Sequence, residues 1–317
     1  MKKILSLAVM LVLCLSLLSS ASALQVVGTR LTDDEGNPVQ LRGISTHGLA
    51  WFPQYVTAQT FASLKEDFGC NAVRLAMYVW ENGGYCNGGD QNRLKNLIRS
   101  GVQYAREAGM YAIVDWHVLN EHDPNLHTEE AIAFFTEMSA ELGDEVIYEI
   151  CNEPNGDVSW ADIRRYAEQV IPAIRANAPG AVILVGTPNW SQFLMEAAAD
   201  PLPYENIMYT LHFYAATHGQ YLRDELENAL AAGLPVFVSE YGVCSADGNG
   251  SYDFEQADLW ADLLDEHQIS YMMWSLSNKA ELASVLKPSC SKLSGFTLDD
   301  LTEGGRWLVQ RLGGGME

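Results

Sequence analysis

The chain has 317 residues, 48% of them hydrophobic, which is enough apolar content for one large core or two smaller ones. It carries 19 Lys and Arg against 41 Asp and Glu, a formal charge of −22. Such an acidic chain repels phosphate backbones and anionic lipid surfaces, so nucleic-acid and membrane-surface partners are excluded at the outset.

Residues 1–23 come first. Lys2-Lys3, an apolar run over 4–18 and Ser19-Ser20-Ala21-Ser22-Ala23 match the charged, apolar and small-residue regions of a secretory signal. The run is short for a membrane span of about 20 residues, so cleavage after Ala23 and a secreted location, extracellular or periplasmic, are expected. Val12-Leu13 before Cys14 lacks the small residues that lipid attachment needs. The remainder, 24–317, is expected to be a single catalytic domain. It opens on 26–38, two short apolar segments around Asp33-Asp34-Glu35-Gly36-Asn37, a pattern that predicts a β-hairpin closing the lower mouth of the fold.

Apolar runs rich in β-branched and aromatic residues then recur at 39–44, 72–77, 111–116, 146–151, 181–186, 207–214, 235–240 and 270–274. Helical patterns separate them. In 93–108, Leu94, Leu97, Ile98 and Val102 share a face; in 160–177, Ile163, Tyr166, Ala167, Val170 and Ile174 do. Continuous apolar runs alternating with amphipathic helices are what a buried parallel sheet requires. Eight of them predict an α/β fold, the closed (β/α)8 TIM barrel, which typically takes about 250 residues. No internal repeat or Pro/Ser/Thr-rich linker interrupts it, and Gly313-Gly314-Gly315 reads as a short tail.

Cysteine usage is uninformative by comparison. Cys70, Cys86, Cys151, Cys244 and Cys290 follow the leader, an odd number that leaves at least one unpaired, and Cys86 and Cys290, in loop-like stretches, are the candidate pair. His117, His122 and His127 recur every five residues, but Pro124 interrupts them and a step of five leaves a helical face. Neither a metal nor another cofactor is expected.

In this fold the reacting groups sit at the C-terminal ends of the strands. The predicted strands end on polar residues: His47 after the first, Arg74 within the second, His117 after the third, Asn152-Glu153 after the fourth, His212 and Tyr214 on the sixth, Glu240 on the seventh and Trp274 on the eighth. Any one of these has an ordinary structural explanation; their convergence on one rim does not. Two carboxylates facing each other across a barrel mouth are what glycoside hydrolysis needs, and Glu153 and Glu240 are that pair. Such a pair works only if its environment keeps one carboxyl protonated and the other ionised, and Arg74 is a cation within the barrel that can favour the ionised one. Trp51, Trp190 and Trp274 offer flat faces for sugar rings, and Tyr78 can extend them.

The segments Ile147-Tyr148-Glu149-Ile150-Cys151-Asn152-Glu153-Pro154-Asn155-Gly156, Asp115-Trp116-His117 and Trp274-Ser275-Leu276-Ser277-Asn278-Lys279 resemble glycoside hydrolase family five, specifically its bacterial endoglucanases. Arg42-Gly43-Ile44-Ser45-Thr46-His47-Gly48 with Trp51, Asn71-Ala72-Val73-Arg74 and Gly186-Thr187-Pro188-Asn189-Trp190-Ser191-Gln192 extend the likeness over nearly all of 24–317. Cys244, in the loop after Glu240, departs from it. The resemblance implies that Glu153 is the general acid/base and Glu240 the nucleophile. It implies that Asn152 bonds the sugar 2-hydroxyl, that Tyr214 orients the nucleophile, and that His47, His117 and His212 hold sugar hydroxyls and carboxylates. Trp51 and Lys279 would serve sugars on the non-reducing side of the cut, Trp190 the leaving-group side. The activity so implied is a retaining endo-β-1,4-glucanase acting on a β-glucan polysaccharide; the chain is expected to be a monomer. Alternatives are the same chemistry on mannan, xyloglucan or mixed-linkage glucan, or a barrel that binds carbohydrate without cutting it. A metal-dependent barrel hydrolase is disfavoured because His47 has no His-x-His partner.

Overall fold

The computed structural model describes residues 23–316. Except for Ala23, the expected signal segment lies outside the described residues. Among those residues no helix is long and apolar enough to cross a membrane.

The described residues begin with β1 (Gln25–Val27) and β2 (Arg30–Thr32), paired antiparallel about Gly28-Thr29, where Gly28 has φ 62°. The first turn thus comes earlier than the sequence pattern suggested. The expected turn at 33–37 follows, closed by Asp33 accepting from the Asn37 and Glu35 amides, and returns the chain so that Pro38 bridges Thr32. Eight parallel strands then close in the order β10-β3-β4-β5-β6-β7-β8-β9. They are β3 (Arg42–Thr46), β4 (Ala72–Tyr78), β5 (Tyr111–His117), β6 (Ile147–Glu149), β7 (Ile183–Val185), β8 (Ile207–Tyr214), β9 (Val236–Gly242) and β10 (Tyr271–Leu276). Between and after them come α1 (Ala58–Glu66), α2 (Gln91–Glu107), α3 (Thr128–Leu142), α4 (Trp160–Arg175), the one-turn α5 (Pro188–Ser191), α6 (Leu194–Ala199), α7 (Gln220–Ala231), α8 (Phe254–His267) and α9 (Glu303–Leu312). The fold is the expected (β/α)8 barrel.

Local chemistry explains several boundaries. Asp90 caps α2 by accepting from the Arg93 amide, and Ser159 with Asp162 forms a reciprocal box at the start of α4. α9 stops at Gly313, whose φ of 73° suits glycine. The strands differ from the sequence pattern mainly at their upper ends. β4, β5, β9 and β10 run one or two residues further, so Tyr78 and His117 become strand residues, while Glu240 and Trp274 lie two residues inside their strand ends. β6 and β7 are only three residues long, and the chain leaves the sheet early enough to bring Glu153 to the mouth, with Asn152 buried just below it.

The lower mouth is closed by the hairpin, as expected. Leu24, Leu31 and Leu41 pack with Ala72, Ile113, Ile147, Leu184, Met208, Phe237 and Met272 in one apolar cluster. A larger core lies between the strands and the outer helices, with Trp116, Trp260, Phe134, Phe135 and Tyr166 among its largest buried members. All five cysteines among the described residues are free thiols, so Cys86 and Cys290 do not pair. They belong to different neighbourhoods: the Cys86 thiol feels Glu130 of α3, while Cys290 lies by Tyr55 and accepts from Asn278.

Candidate active site

The expected residues meet at the upper mouth. His47, Trp51, Tyr78, His117, Glu153, Trp190, His212, Tyr214, Glu240, Trp274 and Lys279 line one open cleft of about 600 Å³. Arg74 and Asn152 do not reach its wall; both are wholly buried beneath it.

Arg74 organises the floor. Its Nε and Nη2 donate to the two oxygens of Glu149 at 2.7 and 3.1 Å, Nη2 also reaches Asn152 Oδ1 at 2.6 Å and Asp115 Oδ2 at 3.0 Å, and Nη1 donates to Glu240 Oε2 at 3.2 Å. Burial alone would lower the arginine, but Asp115, Glu149 and Glu240 outweigh it and hold the guanidinium above its ordinary value. Burial pushes the Asp115 carboxyl up to about 7 and raises Glu149, in both cases against the pull of Arg74.

Glu240 accepts from Tyr214 Oη at 2.7 Å as well as from Arg74. Tyr214 can take this position because residue 242 is glycine: a Cβ there would stand 2.5 Å from the Tyr214 ring. Glu153 receives no such donors. Its Oε1 lies 2.9 Å from His212 Nδ1, whose other nitrogen is 2.8 Å from Ser239 Oγ, and that hydroxyl donates to Glu149 Oε1 at 2.7 Å. A single hydrogen-bonded chain therefore joins Glu153 through His212, Ser239, Glu149 and Arg74 to Glu240. Burial lifts Glu153 to about 8, with the charges of Asp115 and Glu149 adding to the rise. Burial and the charge of Glu153 raise Glu240 too, but His212, Arg74 and His117 oppose that rise. The shared proton belongs on Glu153, the carboxyl with the fewer donors.

The histidines are neutral groups here. Burial lowers His212 to about 4 and His47 to about 3, and takes His117 well below its ordinary value. His117 Nδ1 is fixed by Asp115 Oδ2 at 2.6 Å, and its ring stacks on Trp274 with centroids 5.2 Å apart. At one end of the cleft Trp51, 39% exposed, packs against Tyr78 at 4.7 Å, with Lys279 paired to Glu281 nearby. At the other end Trp190, 43% exposed, faces the cleft from an unusual backbone. Asn189, Trp190 and Ser191 all have φ between 54° and 57°. Each residue in that left-handed region costs roughly 1–2 kcal/mol. The turn is held to the Glu153 loop by the Trp190 amide on Pro154 O and by Ser191 Oγ on Asn152 O at 2.7 Å.

Carboxylate oxygens of Glu153 and Glu240 and a ring nitrogen of His212 all lie within 4.8 Å of one another, a set able in principle to hold a cation. Arg74 already stands 3.2 Å from Glu240, and a second positive charge there would be repelled.

The family description that matches is Cellulase (glycosyl hydrolase family 5), over residues 32–280. The chain belongs to glycoside hydrolase family 5. As a family 5 chain it is a glycosidase, and its relatives are named accordingly. It is 48% identical over 294 residues to endoglucanase A of Butyrivibrio fibrisolvens, covering 91% of this chain and 68% of that one. It is 44% identical over 299 residues to an endoglucanase of Clostridium saccharobutylicum, covering 93% and 66%. The chain thus spans about two thirds of the length of these relatives. Among solved structures it superposes on cellulase Cel5C_n at TM-score 0.88 and 43% identity, with 93% of both chains covered. It superposes on the catalytic domain of Thermobifida fusca endoglucanase Cel5A in complex with cellotetraose at TM-score 0.87 and 38% identity, covering 92% and 97%.

The sequence reading of this family 5 site missed the layer beneath it. Asp115, Glu149 and Ser239 fall inside the apolar runs 111–116, 146–151 and 235–240, before their last residues, although an acid inside a doubly covered strand needs a buried partner, which Arg74 supplies. Glu81, Asn189, Gln192, His218 and Asp247 also line the cleft. They come from loops whose course no local pattern announces.

Proposed function

We propose that this chain is an exported endo-β-1,4-glucanase that cleaves internal bonds of a cellulose-type polymer with retention. The observation that carries the reading is the close approach of Glu153 and Glu240, a carboxylate oxygen of one lying within 4.8 Å of an oxygen of the other. Retaining glycosidases hold their carboxyls about 5–5.5 Å apart, whereas inverting ones need about 6.5–9.5 Å to admit a water between acid and base. A polymer lying from Trp51 to Trp190 would place the cut bond over this pair.

In the first step a Glu240 oxygen bonds to the anomeric carbon as the glycosidic C–O bond breaks, and the Glu153 proton passes to the leaving oxygen. Ser239 prepares that proton. Glu149, held by the Arg74 fork, is an ionised acceptor, so the Ser239 hydrogen points to it; Ser239 must then accept from His212 Nε2–H, which leaves His212 Nδ1 as a bare lone pair. Facing that lone pair at 2.9 Å, Glu153 carries the hydrogen. In the second step Glu153, now ionised, takes a proton from water, whose oxygen bonds to the anomeric carbon and frees Glu240.

The leader pattern at 1–23 and the size of the polymer support action outside the cell, and a monomer suffices because one chain supplies the whole site. The test is reducing-end release from carboxymethylcellulose by wild type and by Glu240→Ala, with proton NMR of the first product. The wild type should release the β anomer and the variant should lose at least about 10⁴-fold in kcat/KM. An α product would overturn retention. No cleavage of carboxymethylcellulose beside cleavage of mannan or xyloglucan would move the substrate to that glycan.

A further inference from the structure

A second group of metal-binding side chains stands apart from the catalytic residues, at the outer edge of the same barrel face. Cys86 lies in the loop after β4, His127 ends the short turn Pro124–His127, and Glu130 is in the first turn of α3. One ligand atom from each lies within 4.8 Å of the other two. The three come from two chain segments about forty residues apart. The five-residue histidine spacing had set His127 beside His117 and His122, but its neighbours in the fold are a thiol and a carboxylate.

The imidazole supplies an independent observation. His127 Nδ1 is buried and has no hydrogen-bond partner, with Glu130 Oε2 the nearest charge at 3.9 Å. A buried ring nitrogen is ordinarily satisfied. The ring is also held in place, stacked under Trp80 with centroids 5.1 Å apart and planes 27° apart. Cys86 is fixed by its amide donating to Val79 O at 2.8 Å, and the preceding Tyr85 ring packs on Trp116 and Phe134. Two of the three groups are therefore oriented before any ion arrives.

We propose that Cys86, His127 and Glu130 form a site for a divalent ion of the zinc type, with water in the fourth position. One sulfur, one nitrogen and one oxygen suit a tetrahedral borderline-soft ion, whereas calcium and magnesium take oxygen ligands almost alone. Binding forms the metal–sulfur bond as the thiol proton leaves to solvent, while the imidazole donates its Nδ1 lone pair. The bound ion ties the loop that carries Trp80 and the cleft-lining Glu81 to α3. It stiffens one wall of the cleft and takes no part in the reaction.

Metal-free full-length enzyme, Cys86→Ser and His127→Ala are titrated with Zn²⁺ by calorimetry, and with Co²⁺ while the thiolate-to-metal absorption is followed. Wild type should bind one Zn²⁺ per chain, release a proton, gain thermal stability and show the cobalt–thiolate band. The serine variant should lose that band, and each variant should bind Zn²⁺ at least about tenfold more weakly. Circular dichroism and residual activity confirm that the variants fold, since neither residue lies in the catalytic cleft. Failure of wild type to bind at one per chain overturns the proposal. So does equal affinity in Cys86→Ser, and equal affinity accompanied by loss of hydrolysis would put the ion on Glu153 and Glu240 instead.

Discussion

At the lower end of the barrel, Ile113, Met208, Phe237 and Met272 meet Leu24, Leu31 and Leu41 in an apolar plug. At the upper end, Arg74, Asp115, Glu149 and Glu240 fill the same interior with almost no exposed side-chain surface. The plug stabilises the fold by removing apolar area from water, at about 25 cal/mol per Å². The charge cluster must first overcome desolvation and recovers that cost only through close pairing around one guanidinium. A single set of strands thus separates stability from chemistry by height along the barrel.

Removing the upper cation should do most damage. Arg74→Met leaves Asp115, Glu149 and Glu240 without their common partner, and chemical denaturation at neutral pH should show a loss of about 3–5 kcal/mol together with loss of activity. The sign of its pH dependence is a further check. Both Asp115 and Glu149 already sit above their ordinary values in the fold, so the folded state binds their protons more tightly than the unfolded chain does, and the stability they contribute is present at low pH and lost as pH rises through the folded values. Without Arg74 those values rise further, so the deficit should shrink as pH falls. A deficit independent of pH would argue that packing, not charge, holds the floor together.

Damage to the plug should be smaller and should spare the chemistry. Leu31→Ala, at a residue only 2% exposed, should cost about 2–3 kcal/mol in thermal or urea unfolding, with kcat/KM on carboxymethylcellulose within about twofold of wild type. A large fall in activity at intact folding would show that the two ends are coupled.

The smallest expected effect is the most specific. In wild type, activity should fall as pH rises through about 8, because Glu153 must be protonated to act as acid. Ser239→Ala removes the hydroxyl that fixes the His212 tautomer, allowing a hydrogen on Nδ1 to face the Glu153 carboxylate and favour its ionised form. The alkaline limb of the kcat/KM profile should move to lower pH with little change in melting temperature. An unmoved limb would assign Ser239 a packing role only.

Much of this was legible along the chain. Eight apolar runs separated by helical patterns announced the barrel, because a strand covered on both faces has no use for alternation. The polar residues at the run ends announced the rim, since Glu153, Glu240 and His212 stood where an apolar core would not place them. The layer below was harder to see. Glu149 and Asp115 look like interruptions in a strand until Arg74 is known to lie between them, and Ser239 carries no signal until His212 is seen beside it. The first hairpin turn was misplaced because Asp33-Asp34-Glu35-Gly36-Asn37 is the louder turn pattern, although Gly28 alone suffices to reverse the chain.

By itself the sequence determined which elements form and which residue types reach the barrel mouth, because apolar period and strand ends are local properties of the chain. It also supplied the two carboxylates, but not their spacing, their proton or their support. Those belong to tertiary structure. The pull of Arg74 on three acids, the tautomer that Ser239 imposes on His212, and the left-handed turn presenting Trp190 all join residues far apart in the chain. The meeting of Cys86 with His127 and Glu130 does so as well. Interactions of this kind depend on distance and burial in space, and no local pattern encodes either.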